Sequence, residues 1–242
     1  MAKGIFYGIG VGPGDPELLT IKAVKVLEST QVVCVPRSKA EAGSLALQIA
    51  RQYLPASAEV LEFTFPMVRE KSVLESYWDT AAGSIKERLW QGLNVAFLTL
   101  GDPSLYSTYA YVVRALRRLD ADALVQTIPG IPSLVAAAAR LNYPLATGDE
   151  PVLVLPNWRG RTELVNYLKA FPNLVVLKVS REFAELREAL QECGRSGFLV
   201  SRCGLDGEVV ETDLVMLDPA KVDYLSLVIV RRDSDAGLTR RN

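Results

Sequence analysis

Two glycine-acid turns decide the fold: GIGVGPGDP at Gly8–Pro16 and LTLGDPSLYST at Leu98–Thr108, each at the end of an apolar run. The first run (Ile5, Phe6, Tyr7, Ile9, Val11) passes through Asp15-Pro16-Glu17 into the helical spacing Leu18, Leu19, Ala23, Val26, Leu27, which reads as strand, tight loop and helix start. Ligands of open α/β sheets bind beyond the carboxyl ends of the strands, where such loops sit. A dinucleotide fingerprint fails here. Counted from Gly8 it needs glycine where Pro13 stands, and counted from Gly10 it needs glycine where Asp15 stands. No Lys-Ser or Lys-Thr pair follows, so a Walker-type cradle is absent too. A proline removes a backbone donor and an aspartate adds negative charge, and both disfavour a phosphate. Asp15 and Pro16 also suit a helix N-cap and its first residue, so capping alone accounts for them. Gly8, Gly10, Gly12 and Gly14 exceed what one turn needs, and predict close approach of the backbone to a ligand or to a second lobe.

The chain has 242 residues, 49% hydrophobic and 23% charged, the composition of a globular protein of one α/β unit or two compact lobes. It carries 27 basic and 28 acidic residues, so no cationic excess points to nucleic acid. No apolar run reaches the roughly 20 residues of a membrane span, and Met1-Ala2-Lys3-Gly4 leads straight toward a strand; a cytoplasmic location is expected. Cys34, Cys193 and Cys203 have no metal-ligand or CxxC spacing and read as small buried residues, so no metal site is expected. Histidine is absent, which removes histidine-based nucleophilic triads and imidazole acid-base chemistry. Chemistry then falls to carboxylates, tyrosines, lysines or a reactive cofactor.

Strands are predicted at 4–10, 31–35, 59–64, 94–100 and 123–128, alternating with helices at 16–29, 44–53, 70–91 and 108–119. That alternation implies a largely parallel sheet covered on both faces. Within 70–91, Val73, Leu74, Tyr77, Trp78, Ala81, Ile85 and Leu89 have helical spacing and are expected in the core. Pro129-Gly130-Ile131-Pro132-Ser133 breaks the pattern and opens a second lobe, beginning with an alanine-rich run at 134–139 that suits close helix packing. The second half offers strands at 151–155, 173–179, 197–202, 208–214 and 224–230 and helices at 162–171 and 181–193. Its last three strands follow without a helix between them, so a mixed sheet is expected. The fold class is therefore α/β with two lobes, spanning 1–130 and 131–231, followed by a polar tail at 232–242 expected to be disordered.

Taken in order, GVGPGDPELLT, FPM at Phe65–Met67, VAFLTLGDPSLYST, PGIPS, PLATGDE at Pro144–Glu150 and LSLVIV resemble the tetrapyrrole methylases over about residues 5–230. The resemblance implies two α/β lobes with S-adenosylmethionine bound in the cleft between them. GDPSLYST and FPM lie nearest the branch that methylates ring carbon C-20 of precorrin-2 or cobalt-factor II in cobalamin synthesis. It assigns cofactor contacts to Pro13, Leu100, Gly101, Asp102, Leu105, Pro132 and Ser133, and in the second lobe to Leu177, Cys203, Ser226 and Leu227. Where relatives often carry a small residue this chain has Pro132, which leaves hydrogen bonding to Ser133. Asp102 before Pro103 is either a turn residue or a carboxylate for the cofactor's amino or ribose groups. The implied substrate, a tetrapyrrole with eight carboxylates, calls for cations; Arg37, Lys39, Arg69, Lys71 and Arg202 are the candidates. A homodimer is also implied. The alternatives are methylation at another ring position, a related methylase acting on diphthine or ribosomal RNA, or a non-catalytic regulator that binds S-adenosylmethionine or a nucleotide.

Overall fold

The computed structural model describes residues 2–37, 43–66, 68 and 70–231. Among the candidates above, Lys39 and Arg69 lie outside the described residues, as do Met67 of FPM and the tail at 232–242. The chain divides into two compact units, Met1–Pro132 and Ser133–Asn242.

In the first unit β1 (Phe6–Gly10), β2 (Val32–Arg37), β3 (Glu59–Thr64), β4 (Val95–Thr99) and β5 (Val125–Ile128) form one sheet in the order β3-β2-β4-β1-β5, with every pairing parallel. Because strand side chains alternate between faces, Val32 and Cys34 of β2 and Val95 and Phe97 of β4 point one way. There they meet Trp78, Ile85 and Leu89 of α3 (Lys71–Trp90) and Val112 and Leu116 of α4 (Tyr109–Leu119). Val33, Val35, Ala96 and Leu98 point the other way, against Ala23 and Leu27 of α1 (Ile21–Glu28) and Ile49 of α2 (Leu45–Ala50). Each face thus buries one helix pair.

Two details differ from the sequence reading. The helix expected over 16–29 is broken: Asp15 caps a 3₁₀ turn at Pro16–Leu18, accepting from the Glu17 N–H at 2.8 Å, and Thr20 then caps α1 by accepting from the Ala23 N–H. A second good N-cap five residues after the first starts the helix afresh. Tyr77, expected in the core, is 40% exposed, whereas Trp78 is buried and stacks on Tyr111 with ring centroids 4.4 Å apart. The α3 helix presents only a narrow buried stripe, and Tyr77 lies beside it.

The second unit holds β6 (Val152–Leu155), β7 (Asn173–Leu177), β8 (Gly197–Ser201), β9 (Val209–Glu211) and β10 (Ser226–Val230), ordered β6-β7-β10-β8-β9. Only β6 and β7 are parallel; β10 runs antiparallel to both β7 and β8, and β8 to β9. The sheet is mixed, as expected. The alanine-rich run forms α5 (Ser133–Arg140), which buries Leu134 and Ala136–Ala138. Helices α6 (Gly160–Ala170) and α7 (Phe183–Glu192) cover a core that includes Leu164, Phe183, Leu186 and Val228. A single 3₁₀ turn at Pro219–Lys221, capped by Asp218, separates β9 from β10 where no helix was expected. Asp-Pro makes such a turn for the same reason as Asp15-Pro16.

Candidate functional site

Parallel strands end on one side, so the loops after β1, β4 and β5 meet at the carboxyl edge of the first sheet. Gly12 and Gly101 exchange backbone bonds there, Gly101 N–H to the Gly12 carbonyl at 2.7 Å and Gly12 N–H to the Gly101 carbonyl at 3.3 Å. The loops are in near-contact elsewhere too. A Cβ on Gly10 would fall 2.5 Å from the Gly130 nitrogen and 2.6 Å from the Gly101 oxygen; one on Gly130 would fall 2.3 Å from that oxygen. On the face shared with Phe6, the Tyr109 ring occupies the place of a Gly8 side chain, 2.2 Å from where its Cβ would be. Gly12 has φ +80°. The expectation that these glycines admit a ligand or a second lobe is therefore corrected for Gly8 and Gly10. They admit neighbouring main chain and a tyrosine ring of the same unit.

Asp102 ties this edge together. Its Oδ1 accepts from the Ser104 N–H at 2.8 Å and from the Ser104 hydroxyl, and its Oδ2 accepts from the Gly130 N–H at 2.9 Å. Partial burial works to raise its pKa, but the bonds from Ser104 and Gly130 outweigh it and hold the carboxyl below the ordinary aspartate value. Of about four lone-pair sites on a carboxylate, three serve the loops. Below it, Ser107 bonds Thr99 at 3.0 Å and accepts from the Tyr109 N–H at 3.1 Å, and the Tyr109 hydroxyl lies 3.1 Å from that of Thr127. Burial pushes the Tyr109 phenol up, against the opposing bonds from Thr127 and Gly8.

The candidates of the first unit converge on this edge. Pro13 and Gly101 are buried, Leu100, Asp102, Leu105 and Pro132 are half-buried, and all follow β1, β4 or β5. Those of the second unit form a group of their own. Leu177 ends β7 and pairs with Leu227, Ser226 opens β10 opposite Ser201, and the Ser226 hydroxyl donates to that of Ser201 at 3.0 Å in a buried pair. Cys203 follows β8 and is buried, which with nearby Glu208 pushes its thiol up to about 11. Ser133 begins α5. Beside this group Lys178 and Arg202 have φ +55° and +52°, a left-handed backbone uncommon outside glycine and frequent at functional positions. Nothing in the sequence marked those two as strained.

The basic candidates are less concentrated. Arg37 ends β2 at the carboxyl edge, 3.8 Å from Glu62, and Lys71 opens α3, 3.6 Å from Glu75; both are strongly exposed. Arg202 donates to the Asp206 carbonyl at 3.0 Å and lies 3.7 Å from Asp223. Two arginines that sequence reasoning passed over, Arg114 and Arg117 on α4, flank cavities beside the Asp102 loop. Their signal is the three-residue spacing on a helix face with no acid four residues away on either side; Asp120, three beyond Arg117, bonds Lys3 and Trp90 instead.

An edge built from main chain, hydroxyls and an ionised carboxylate, with no lysine in the loops, suits a cationic or neutral ligand better than a polyphosphate. Residues 6–217 match the tetrapyrrole (corrin/porphyrin) methylases, and the chain belongs to that family. It is 35% identical to a protein named probable cobalt-precorrin-2 C(20)-methyltransferase from Methanocaldococcus jannaschii, over 93% of this chain and 95% of that one. With the cobalt-precorrin-2 C(20)-methyltransferase of Salmonella typhimurium it shares 30% identity over 95% of this chain and 97% of the other. In fold it is similar to the uroporphyrin-III C-methyl transferase of Thermus thermophilus complexed with S-adenyl homocysteine, with a TM-score of 0.68, 22% identity and coverage of 94% and 92%.

Proposed function

We propose that this protein is an S-adenosylmethionine-dependent C-methyltransferase that methylates ring carbon C-20 of precorrin-2 or its cobalt complex in corrin biosynthesis. The observation that carries the reading is full-length similarity to two proteins named for this reaction, in a chain whose carboxyl-edge loops present an ionised carboxylate and no phosphate cradle. The residues proposed for the cofactor are Pro13, Leu100, Gly101, Asp102, Leu105 and Pro132 in the first unit. In the second they are Ser133, Leu177, Cys203, Ser226 and Leu227. The donor set fits such a ligand: Asp102 keeps a free lone-pair site for an amino or hydroxyl group, and the Ser201–Ser226 pair offers hydroxyl oxygens at a strand end.

When bound, S-adenosylmethionine supplies an activated methyl group on sulfonium. The chain's own work is then to align donor and ring carbon and to keep water away, for which neither histidine nor a nucleophilic side chain is required. The glycine-packed edge suits that task because its loops brace one another and hold their positions. Removal of the proton left on the methylated carbon falls to water or a carboxylate. Among the described residues no group of three metal-ligating side chains occurs; cobalt, where present, would arrive with the substrate. No helix among the described residues is long and apolar enough to cross a membrane. A cytoplasmic homodimer accords with a biosynthetic role and with the prevalence of two-fold oligomers. Two assays test the reading together: calorimetry with S-adenosylhomocysteine, and release of that product on mixing the enzyme with S-adenosylmethionine and precorrin-2. Binding without substrate-dependent release would leave only a regulator.

A further inference from the structure

Two adjoining cavities of about 310 and 340 Å³ open along α4 in the first unit. Ser104 and Arg114 line both, Arg117 and Thr127 line the second, and Ser104 is also the residue that bonds Asp102. Arg114 and Arg117 are three apart on one helix, so their Cβ atoms stand about 5–6 Å apart on one face. Among the described residues neither lies within salt-bridge distance of a carboxylate; Arg114 instead sits over the Tyr111 ring, 5.8 Å from its centroid. The contrast with the next residue is direct, since Arg118 donates to Asp79 at 2.6 Å. Tyr111 is itself stacked flat on buried Trp78, so the surface under Arg114 is stiff. Two exposed arginines on one helix face, with no acid paired to either, leave both guanidinium groups available to a dianionic ligand.

We propose that Arg114 and Arg117 bind carboxylates on two neighbouring arms of the tetrapyrrole, in the cavities that Ser104 and Thr127 also line. This rests on the methyltransferase reading and names the residues that recognise its substrate class, a flat macrocycle bearing acetate and propionate groups. Guanidinium forks match carboxylates bidentately, and the three-residue spacing suits adjacent arms better than a single anion. The cavities begin at the loop that carries the proposed cofactor residues Gly101, Asp102 and Leu105, which places bound carboxylates next to the reacting centre's own loop.

The test uses uroporphyrin III, an octacarboxylate, as probe, with its octamethyl ester as the uncharged control. Titration by fluorescence of the full chain should show a salt-sensitive affinity for the acid and none for the ester. Arg114→Gln or Arg117→Gln should weaken it at least about tenfold, and the double variant about a hundredfold, from loss of charge-assisted bonds. Arg114→Lys should recover part of the loss, and Arg118→Gln, beside them on the helix, should change affinity less than about twofold. S-adenosylhomocysteine affinity and thermal midpoint should stay as in the wild type, while KM for precorrin-2 rises. If the wild type binds uroporphyrin and methylates precorrin-2 but the double variant does so equally well, this assignment is overturned and the function stands. If the wild type neither binds the probe nor transfers methyl to precorrin-2, both fall. A change in oligomeric mass with unchanged probe affinity would make the face a contact between copies and also overturn the assignment.

Discussion

Replacing Asp102 by asparagine removes one acceptor from a carboxylate that serves three donors. Two of those donors, the N–H groups of Ser104 and Gly130, are fixed by the backbone, whereas the Ser104 hydroxyl can rotate. Whichever way the amide is turned, its NH₂ faces one fixed N–H. The loss is a charge-assisted bond worth about 1.5–3 kcal/mol, and because Asp102 is only half-buried, water at the orphaned N–H reduces it to about 1–2 kcal/mol. Urea denaturation should show a lower midpoint at unchanged slope, and the effect should depend on pH. The folded-state pKa lies below the ordinary value, so the unfolded chain takes up the proton first as pH falls. The stabilisation is therefore fully present above the unfolded value of about 3.9 and is lost as pH falls through the folded one. Wild type and variant should then converge in the acid range and stay apart at neutral pH. S-adenosylhomocysteine affinity should fall in parallel, because the loops tied by Asp102 carry the proposed contacts. Equal midpoints at pH 7, or a gap that persists unchanged into acid, would refute the reasoning.

Other outcomes follow from the same structure. Gly10→Ala forces a Cβ against backbone atoms of Gly101 and Gly130 and should cost at least about 1–3 kcal/mol in urea denaturation, whereas Gly83→Ala, within α3 and with nothing within 4 Å, should stabilise by about 0.5–1 kcal/mol. Arg195 donates to the carbonyls of Leu168, Phe171, Pro172 and Arg231; Arg195→Ala should destabilise the second unit by about 3 kcal/mol, with hydrogen exchange accelerating in α6 and β10 first. Cys203, with a thiol pKa of about 11, is only about a thousandth thiolate at pH 8, so iodoacetamide on the native protein should label half-buried Cys193 well before Cys203 or fully buried Cys34, as peptide mass mapping would show.

The fold was largely legible because its signals are local. Apolar runs end in glycine-acid turns, and the strand and helix alternation from Phe6 to Ile128 leaves a parallel sheet as the natural arrangement. The break at Pro129–Pro132 and the helix-free run of late strands likewise announced a second, mixed sheet. What stayed hidden depends on contacts far apart in sequence. Gly8 reads as a glycine kept for a ligand or a second lobe until Tyr109, about a hundred residues on, is seen filling its side-chain space. Asp102 offered both a turn and a ligand contact, and only the bond to Gly130 shows that it spans two loops. Arg114 and Arg117 were overlooked because unpaired cations on a helix resemble any solvated face until cavities are found beside them. Arg37 and Lys71 drew notice by position after a strand or motif, yet each lies near a surface acid.

The most direct test of the central claim is the position of the transferred carbon. Incubating the protein with methyl-¹³C S-adenosylmethionine and precorrin-2, then assigning the product by NMR, should give a single enriched methyl on C-20 and one equivalent of S-adenosylhomocysteine. A methyl group on any other ring carbon, or no enrichment from a protein that binds S-adenosylhomocysteine, would contradict the account.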